Sequence, residues 1–89
     1  MIDVITLKLN SGEEVIGRYE GKTPEQNIIL KKPVCLAPGQ EGFGMIPWIM
    51  SADADQVEIN RNSVIGQADT IEEIAKKYLE VTSGIALAS

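Results

Sequence analysis

The chain has 89 residues, of which 44% are hydrophobic and 24% charged, a composition typical of one globular domain and not of a disordered chain. Its net charge of −5 disfavours strong nonspecific binding to nucleic acid, which usually needs a basic face. The sequence has no histidine and one cysteine, Cys35, so it excludes an intrachain disulfide and a histidine-ligated metal site.

The N-terminal segment does not have the pattern of a secretory signal. It carries Asp3 and no basic residue before its apolar part. No run approaches the roughly 18 apolar residues of a membrane span, and a single cysteine fits a reducing compartment. We therefore expect a soluble, cytoplasmic protein that does not associate with membranes.

The first two predicted strands are residues 2–9 and 14–20, joined by a polar turn. Strict alternation places Ile5, Leu7 and Leu9 on one face, which is the period of a half-buried strand. Gly17 interrupts the second strand, where a missing side chain lets a strand bend or another backbone approach closely. These features predict a small, strongly curved antiparallel sheet.

Two further strands are predicted at residues 27–36 and 43–51. Pro33 cannot donate a ladder hydrogen bond, so it predicts an edge, a bulge or a bend in the third strand. The fourth strand is apolar on both faces. One face is expected to meet the core, and the other meets either a neighbouring subunit or the C-terminal helix.

A polar turn at residues 51–56 precedes two short strands, 57–59 and 64–65, which flank a tight corner at Arg61-Asn62. Asp53 and Asp55 have the spacing that begins a calcium loop, but a valine stands where the next ligand belongs. A solvated turn is therefore favoured, and no metal is predicted.

The C-terminal region predicts one amphipathic helix at about residues 70–82. Thr70 and Glu73 have the spacing of a capping box, and Gly84 is a suitable stop. Apolar residues recur with helical periodicity and predict a face packed on the sheet; they are Ile71, Ile74, Ala75, Tyr78 and Leu79.

The sequence gives little support for a catalytic site. The adjacent glutamate pairs point apart in a strand or helix. The serines have no histidine partner, and Cys35 in an apolar strand is favoured as a small core residue. We therefore predict neither an enzyme nor a cofactor.

Two polar corners, residues 23–27 and Arg61-Asn62, are the candidate binding residues. Asn27 offers a donor and an acceptor suited to a base edge, and Arg61 can stack on a base or pair with phosphate. The alternative is turn chemistry alone, because asparagine tolerates turn geometry and Arg61 is then merely solvated. Residue types alone favour that alternative.

Two motifs of this chain resemble those of the Sm and LSm proteins. The pattern L-x-L-x-x-G-x-x-V-x-G-x-Y followed after a loop by N-I-I-L is similar to their first motif, and INRNSVI is similar to their second. The residues of the first are Leu7, Leu9, Gly12, Val15, Gly17, Tyr19, Asn27, Ile28 and Leu30. The corner in the second is closest to that of the bacterial Sm-like RNA chaperone. The chain also looks similar to compact Sm-like proteins of phages.

The resemblance implies a mainly β fold: one domain over residues 1–89, with a small, strongly bent five-stranded antiparallel barrel at about 2–67 and a C-terminal helix. It implies assembly of the chain with itself into a ring whose pore-facing loops bind single-stranded RNA or DNA. Asn27 matches the family's base-contacting asparagine and Arg61 its basic corner. Asn62 completes that corner, and Lys22 adds a positive charge beside Asn27.

Several positions depart from the family pattern. Thr23 stands for its aspartate, Glu25 for its base-stacking residue, and Asn62 for its glycine. The helix follows the last strand, whereas the family usually begins with one. The alternative function is a structural or adaptor ring that binds protein partners without nucleic acid.

Overall fold

A computed structural model describes residues 3–39, 42–49 and 55–83, and it confirms a mainly β fold with one C-terminal helix. A 3-10 turn at Arg61–Ser63 precedes the last strand. The elements are β1 (Val4–Leu9), β2 (Glu14–Lys22), β3 (Ile28–Gly39), β4 (Gly42–Pro47), β5 (Gln56–Ile59), β6 (Val64–Asp69) and α1 (Glu72–Ser83). The predictions for residue 2, for most of the turn at 51–56 and for Gly84 lie outside the described residues.

The strands form one antiparallel sheet in the order β4-β3-β2-β1-β6, with β5 also paired to β3. β5 pairs with the first part of β3, from Ile28, and β4 pairs with the second part, from Val34. The two short strands thus share one position beside β3. The sheet therefore contains six strands in five positions, in agreement with the six strands predicted along the chain, whereas the family resemblance implied five.

The sheet is curled, but its edges are not paired with each other within residues 3–39, 42–49 and 55–83. β5 is bonded to β3 and β6 to β1, yet only Asn60 and the 3-10 turn connect them. Asn10 on the β1–β2 turn donates its backbone N–H to the carbonyl of Ser63 at 2.8 Å, which anchors the turn. The sheet must bend back on itself for so short a connection to join strands from its two sides.

The concave side holds a set of apolar residues that we call the inner cluster. The alternation predicted for the first strand is confirmed, because Ile5, Leu7 and Leu9 all lie in it. Tyr19, Trp48, Val57 and Val64 pack against it while keeping partial exposure. Its buried members are Ile5, Leu7, Leu9, Val15, Ile28, Leu30 and Ile59.

Gly17 is required by a close approach between β2 and β3. A Cβ atom at this position would lie 3.0 Å from both Cβ and Cδ1 of Leu30 and 3.3 Å from the Lys31 carbonyl oxygen. The register between β2 and β3 also shifts here, between Ile16 and Arg18. Both readings of the sequence, a bend and a close approach, therefore hold at this glycine.

Pro33 lies inside the sheet, so the expectation of an open edge at the third strand is wrong. β3 has neighbours on both sides, but no paired residue on the β4 and β5 side falls at Pro33 itself. The preceding residue, Lys32, has a positive φ of 49°. The proline thus occupies the bulge or bend that the sequence also allowed, where a missing N–H breaks no ladder bond.

The helix α1 packs on the convex face of the sheet and forms a second core, the helix-side cluster. Ile74, Ala75 and Leu79 contact it with partial exposure. Its buried members are Val4, Ile16, Val34 and Tyr78, and Leu36 and Met45 lie against them. The predicted apolar stripe is therefore confirmed from Ile74 onward.

The start of the helix differs from the prediction. The helix begins at Glu72, and the Ile71 carbonyl accepts the Ala75 N–H at 2.9 Å, so Ile71 holds the N-cap position. Thr70 instead places its hydroxyl 2.8 Å from that of Thr6. The predicted capping box is wrong, and Ile71 is 66% exposed because it precedes the face that docks.

The apolar run at residues 43–51 is not one continuous strand. β4 ends at Pro47, Trp48 and Ile49 form a bend, and Met50 and Ser51 lie outside the described residues. The Trp48 N–H donates to the Pro33 carbonyl at 3.0 Å. Met45 reaches the helix-side cluster and Trp48 the inner cluster, so this run serves both cores, while Ile46 and Ile49 remain exposed.

Candidate nucleic-acid interface

The two polar corners predicted from the sequence meet through the side chain of Asn27. Its Oδ1 accepts the backbone N–H of Arg61 at 3.0 Å, and its Nδ2 donates to Glu58 Oε2 at 2.8 Å. The residues joined are 31 and 34 positions apart in sequence. Asn27 thus fixes the position of the Arg61 corner relative to the loop that follows β2.

The loop at residues 23–27 presents Asn27 because it is closed by its own hydrogen bonds. Thr23 donates its N–H to the Asn27 carbonyl at 2.9 Å, and its hydroxyl accepts the Asn27 N–H at 3.1 Å. Gln26 has a φ of 73°, which turns the chain back toward β3. Thr23, which replaces an aspartate of the resembled motif, therefore performs an aspartate-like turn role with its hydroxyl.

The Arg61 corner is a capped 3-10 turn. Asn60 accepts the Asn62 N–H on its side-chain oxygen at 2.8 Å, as an N-cap residue does. The Asn62 carbonyl faces Asn10 Nδ2 at 3.4 Å. Arg61 and Asn62 are both exposed, so the backbone of the corner is held while the Arg61 side chain extends into solvent.

Lys22 lies at the same end of the sheet. It is paired with Ile28 across β2 and β3, and Ile28 is paired in turn with Ile59 across β3 and β5. Lys22 is exposed, as is the acidic Glu25 in the adjacent loop. All four predicted site residues, Lys22, Asn27, Arg61 and Asn62, therefore belong to one end of the sheet.

The charge of this end is balanced. Lys22 and Arg61 supply two positive charges, and Glu25 and Glu58 supply two negative ones. The site therefore offers hydrogen-bonding groups and one exposed guanidinium, without the excess of positive charge that attracts phosphate at long range.

Glu58 is the member of this site that sequence analysis missed. The signal was present, because alternation across Val57, Glu58 and Ile59 places Glu58 opposite the two apolar residues. Its carboxylate holds one of the two Asn27 amide hydrogens. Among the described residues, the second amide hydrogen and one oxygen lone pair of Asn27 have no hydrogen-bond partner, so its structural role and a binding role are compatible.

Metal-ligating and nucleophilic groups do not gather at this end of the sheet. Among the described residues, no three His, Cys, Asp or Glu side chains are placed to hold a metal ion, and Asp53 of the calcium-like pattern lies outside that part of the chain. Burial raises the pKa of the Cys35 thiol, and the Glu13 carboxylate, 3.8 Å from Sγ, raises it further. Cys35 is thus mostly protonated at neutral pH and a poor nucleophile.

No protein-family model and no curated protein matches this chain. No helix in the described part of the chain is long and apolar enough to cross a membrane.

Proposed function

We propose that this protein is an Sm-like barrel that assembles into a homo-oligomeric ring and binds single-stranded RNA or DNA at the Asn27–Arg61 end of the sheet. The observation that carries the proposal is the pair of hydrogen bonds from the Asn27 amide to Glu58 and to the Arg61 backbone. They make one site of two corners that the sequence resemblance assigns to a shared nucleic-acid surface.

Support for a barrel comes from the short connection between β5 and β6. These strands pair with β3 and β1, so the turn at Arg61–Ser63 links the two sides of the sheet. The inner cluster fills the concave side. A small curled sheet with its apolar interior filled by side chains is the architecture of small barrels.

Support for a ring comes from two strand edges at opposite ends of the sheet order. Within the part of the chain that the structure describes, β6 pairs only with β1, and β4 and β5 pair only with β3. Ile65 on β6 is 68% exposed. Strand edges accept further strands, and repeated head-to-tail pairing between copies closes into a ring. A ring repeats the Arg61 corner, so weak single sites gain avidity.

Native mass in solution tests the assembly. We expect a discrete oligomer, and we expect Ile65→Lys to reduce its mass because a lysine on the β6 edge disfavours strand addition. Ile71→Lys is the matched control, because Ile71 is 66% exposed but lies on no strand edge. A monomeric wild-type protein, or an oligomer unchanged by Ile65→Lys, contradicts the ring.

Fluorescence anisotropy with short U-rich and A-rich RNA and single-stranded DNA tests the ligand. We expect Arg61→Gln to weaken binding and to reduce the slope of log affinity against log salt by about 1 per site, because it removes one phosphate contact. We expect Glu25→Gln to tighten binding, because it removes a negative charge from the site.

Lys76→Gln is the charge-matched control. Lys76 lies on α1, away from the site, and its ion pair with Glu72, at 3.8 Å, is largely exposed. Lys76→Gln removes the same unit of charge as Arg61→Gln and should change the affinity for nucleic acid little. Absence of binding by the wild-type protein, or equal effects of Arg61→Gln and Lys76→Gln, contradicts nucleic-acid binding at this corner.

The second candidate is an adaptor ring that binds protein. The balanced charge at the Asn27–Arg61 end favours it, since protein partners do not require an excess of positive charge there. The exposed isoleucines on β4 and β6 also favour it, because apolar side chains beside an unpaired edge suit an added strand. A discrete oligomer that binds none of the nucleic acids supports this candidate over the first.

A further inference from the structure

A second polar region lies on the convex side of the sheet, where α1 ends. A pocket of about 410 Å³ opens between β2, β3 and the last turn of the helix. Pockets that hold small molecules occupy roughly 300–1,000 Å³. Its lining residues are Arg18, Lys31, Lys32, Asp55, Tyr78, Leu79 and Thr82. None of them belongs to the Asn27–Arg61 site.

The pocket is basic although the chain is acidic. Three of the eight cationic residues of the protein line it, and Asp55 is its only carboxylate among the described residues. Three cations and one carboxylate leave two positive charges, in a chain whose net charge is −5. Two other pockets in the described part of the chain each hold two carboxylates and no cation: Glu14 and Asp69 line one, and Glu13 and Glu58 line the other.

Two of these cations have no ion-pair partner among the described residues. Arg18 and Lys31 are half-buried, and neither forms an ion pair or a side-chain hydrogen bond with another described residue. Partly desolvated cations are costly unless an anion or hydrogen-bond acceptor compensates them. Arg18 and Lys31 are opposite each other in the β2–β3 register, which places both at the same level of the pocket.

The remaining groups hold the pocket in shape. Tyr78 is 1% exposed, and its hydroxyl donates to the Lys31 carbonyl at 2.7 Å and lies 3.0 Å from that of Lys32. Lys32 Nζ donates to the Thr82 carbonyl at 3.0 Å, which is a favourable contact at a helix C-terminus. The Lys32 N–H donates to the Asp55 carbonyl at 2.7 Å. Strand, helix and loop are thus fixed around Arg18 and Lys31.

We propose that this pocket binds a phosphomonoester, with Arg18 and Lys31 as its principal ligands and Lys32 as a third. A phosphomonoester carries about −1.5 to −2 charges at neutral pH, which matches the two positive charges of the pocket. The arginine fork pairs with two phosphate oxygens and the lysines act as point charges. The phosphate belongs to a free small molecule or to the terminal phosphate of a nucleic-acid strand.

Isothermal titration calorimetry at constant ionic strength tests the site with three probes: inorganic phosphate, adenosine monophosphate and adenosine. We expect the first two to bind and adenosine not to bind. Arg18→Gln and Lys31→Gln should each weaken the binding of adenosine monophosphate by about tenfold or more, as expected for the loss of a charge-assisted contact. Lys76→Gln, which removes a charge from α1 outside the pocket, should leave the binding of adenosine monophosphate unchanged.

Amide chemical shifts locate the site. Titration with adenosine monophosphate should move the backbone signals of Arg18, Lys31 and Lys32 in the wild-type protein. A dinucleotide with and without a 5′-phosphate distinguishes the two sources of phosphate: tighter binding of the phosphorylated dinucleotide than of adenosine monophosphate identifies a strand end, and the reverse identifies a small molecule.

Three results overturn the proposal. One is the absence of binding by phosphate and by adenosine monophosphate up to about 10 mM, where even weak specific sites bind. The second is equal affinity for adenosine monophosphate and adenosine. The third is an effect of Lys31→Gln no larger than that of Lys76→Gln; this variant remains decisive if Arg18→Gln does not fold. None of these results bears on the Arg61 corner, which is tested with separate variants.

Discussion

The inner cluster and the helix-side cluster share the same strands but are built in different ways. The buried members of the inner cluster are aliphatic side chains supplied only by strands. The helix-side cluster adds a helix from the far end of the chain, and its largest buried side chain, Tyr78, carries a hydroxyl that is hydrogen-bonded to β3. The buried side chains of the inner cluster carry no polar group, whereas the helix-side cluster contains one buried hydroxyl that is hydrogen-bonded to the sheet.

The comparison shows how one short strand contributes side chains to both clusters. Val4 belongs to the helix-side cluster and Ile5 to the inner cluster, and Val15 and Ile16 divide in the opposite order. Successive residues of a strand point to opposite faces. A pair of adjacent aliphatic residues on β1 and on β2 therefore indicates that both faces of the sheet are covered.

Truncation inside the inner cluster should have the largest effect. Leu30 is fully buried and meets Gly17 closely. We expect Leu30→Ala to lower the free energy of unfolding by about 3–5 kcal/mol, as cavity-forming substitutions do. Urea denaturation at fixed protein concentration measures the loss. A loss below about 1 kcal/mol would mean that the inner cluster is loosely packed, contrary to the comparison.

Truncation at the helix-side cluster should cost less, because its helix residues keep some exposure. Ile74 is half-buried, so we expect Ile74→Ala to lower the free energy of unfolding by about 1–2 kcal/mol. Hydrogen exchange should also quicken more for amides of α1 than for those of β1 and β2, because the helix opens without the sheet. Equal acceleration in both would show that the two clusters unfold as one unit.

Local patterns predicted the inner cluster well. Alternation identified Ile5, Leu7 and Leu9, and the break at Gly17 identified a close approach whose partner, Leu30, only the folded chain reveals. Helical periodicity found the docking face from Ile74 onward. It failed at Ile71 because periodicity does not show where a helix begins to touch the sheet, and boundaries depend on contacts such as that between Thr70 and Thr6.

The sites depended more on long-range contacts. Residue types indicated Asn27 and Arg61, but the hydrogen bond that joins them spans 34 positions, and no local pattern contains it. Likewise Arg18, Lys31 and Lys32 look like ordinary solvated charges in the sequence. They form one pocket only because β2 pairs with β3 and α1 returns over both.

The buried hydroxyl of the helix-side cluster can be removed while the aromatic ring that carries it is kept. Tyr78→Phe deletes the hydroxyl that bonds the Lys31 carbonyl, and we expect it to lower the free energy of unfolding by about 1 kcal/mol at neutral pH. A stability equal to that of the wild-type protein would mean that the hydroxyl adds nothing to the docking of the helix.

The same variant has a predictable pH dependence. Burial raises the pKa of the Tyr78 phenol above its ordinary value of 10.0, with the charge and backbone of Arg18 acting in the opposite direction. The unfolded chain therefore loses this proton first, so this contribution to stability is complete below pH 10 and falls as the pH rises through the folded-state pKa. Above pH 10 the wild-type protein should lose stability more steeply than Tyr78→Phe. Parallel curves would contradict a buried, hydrogen-bonded phenol.

The smallest effect is expected just beyond the edge of the helix-side cluster. Ile71 is 66% exposed, and Ile74, one turn later, contacts the cluster. We expect Ile71→Ala to change the free energy of unfolding by less than about 0.5 kcal/mol, because little apolar surface returns to water. Ile74→Ala, measured in parallel, removes the same atoms from a packed position. If Ile71→Ala costs as much as Ile74→Ala, then Ile71 is covered in solution. A loss that grows with protein concentration would identify a second copy of the chain as its cover, whereas a loss independent of concentration would place Ile71 in the helix-side cluster.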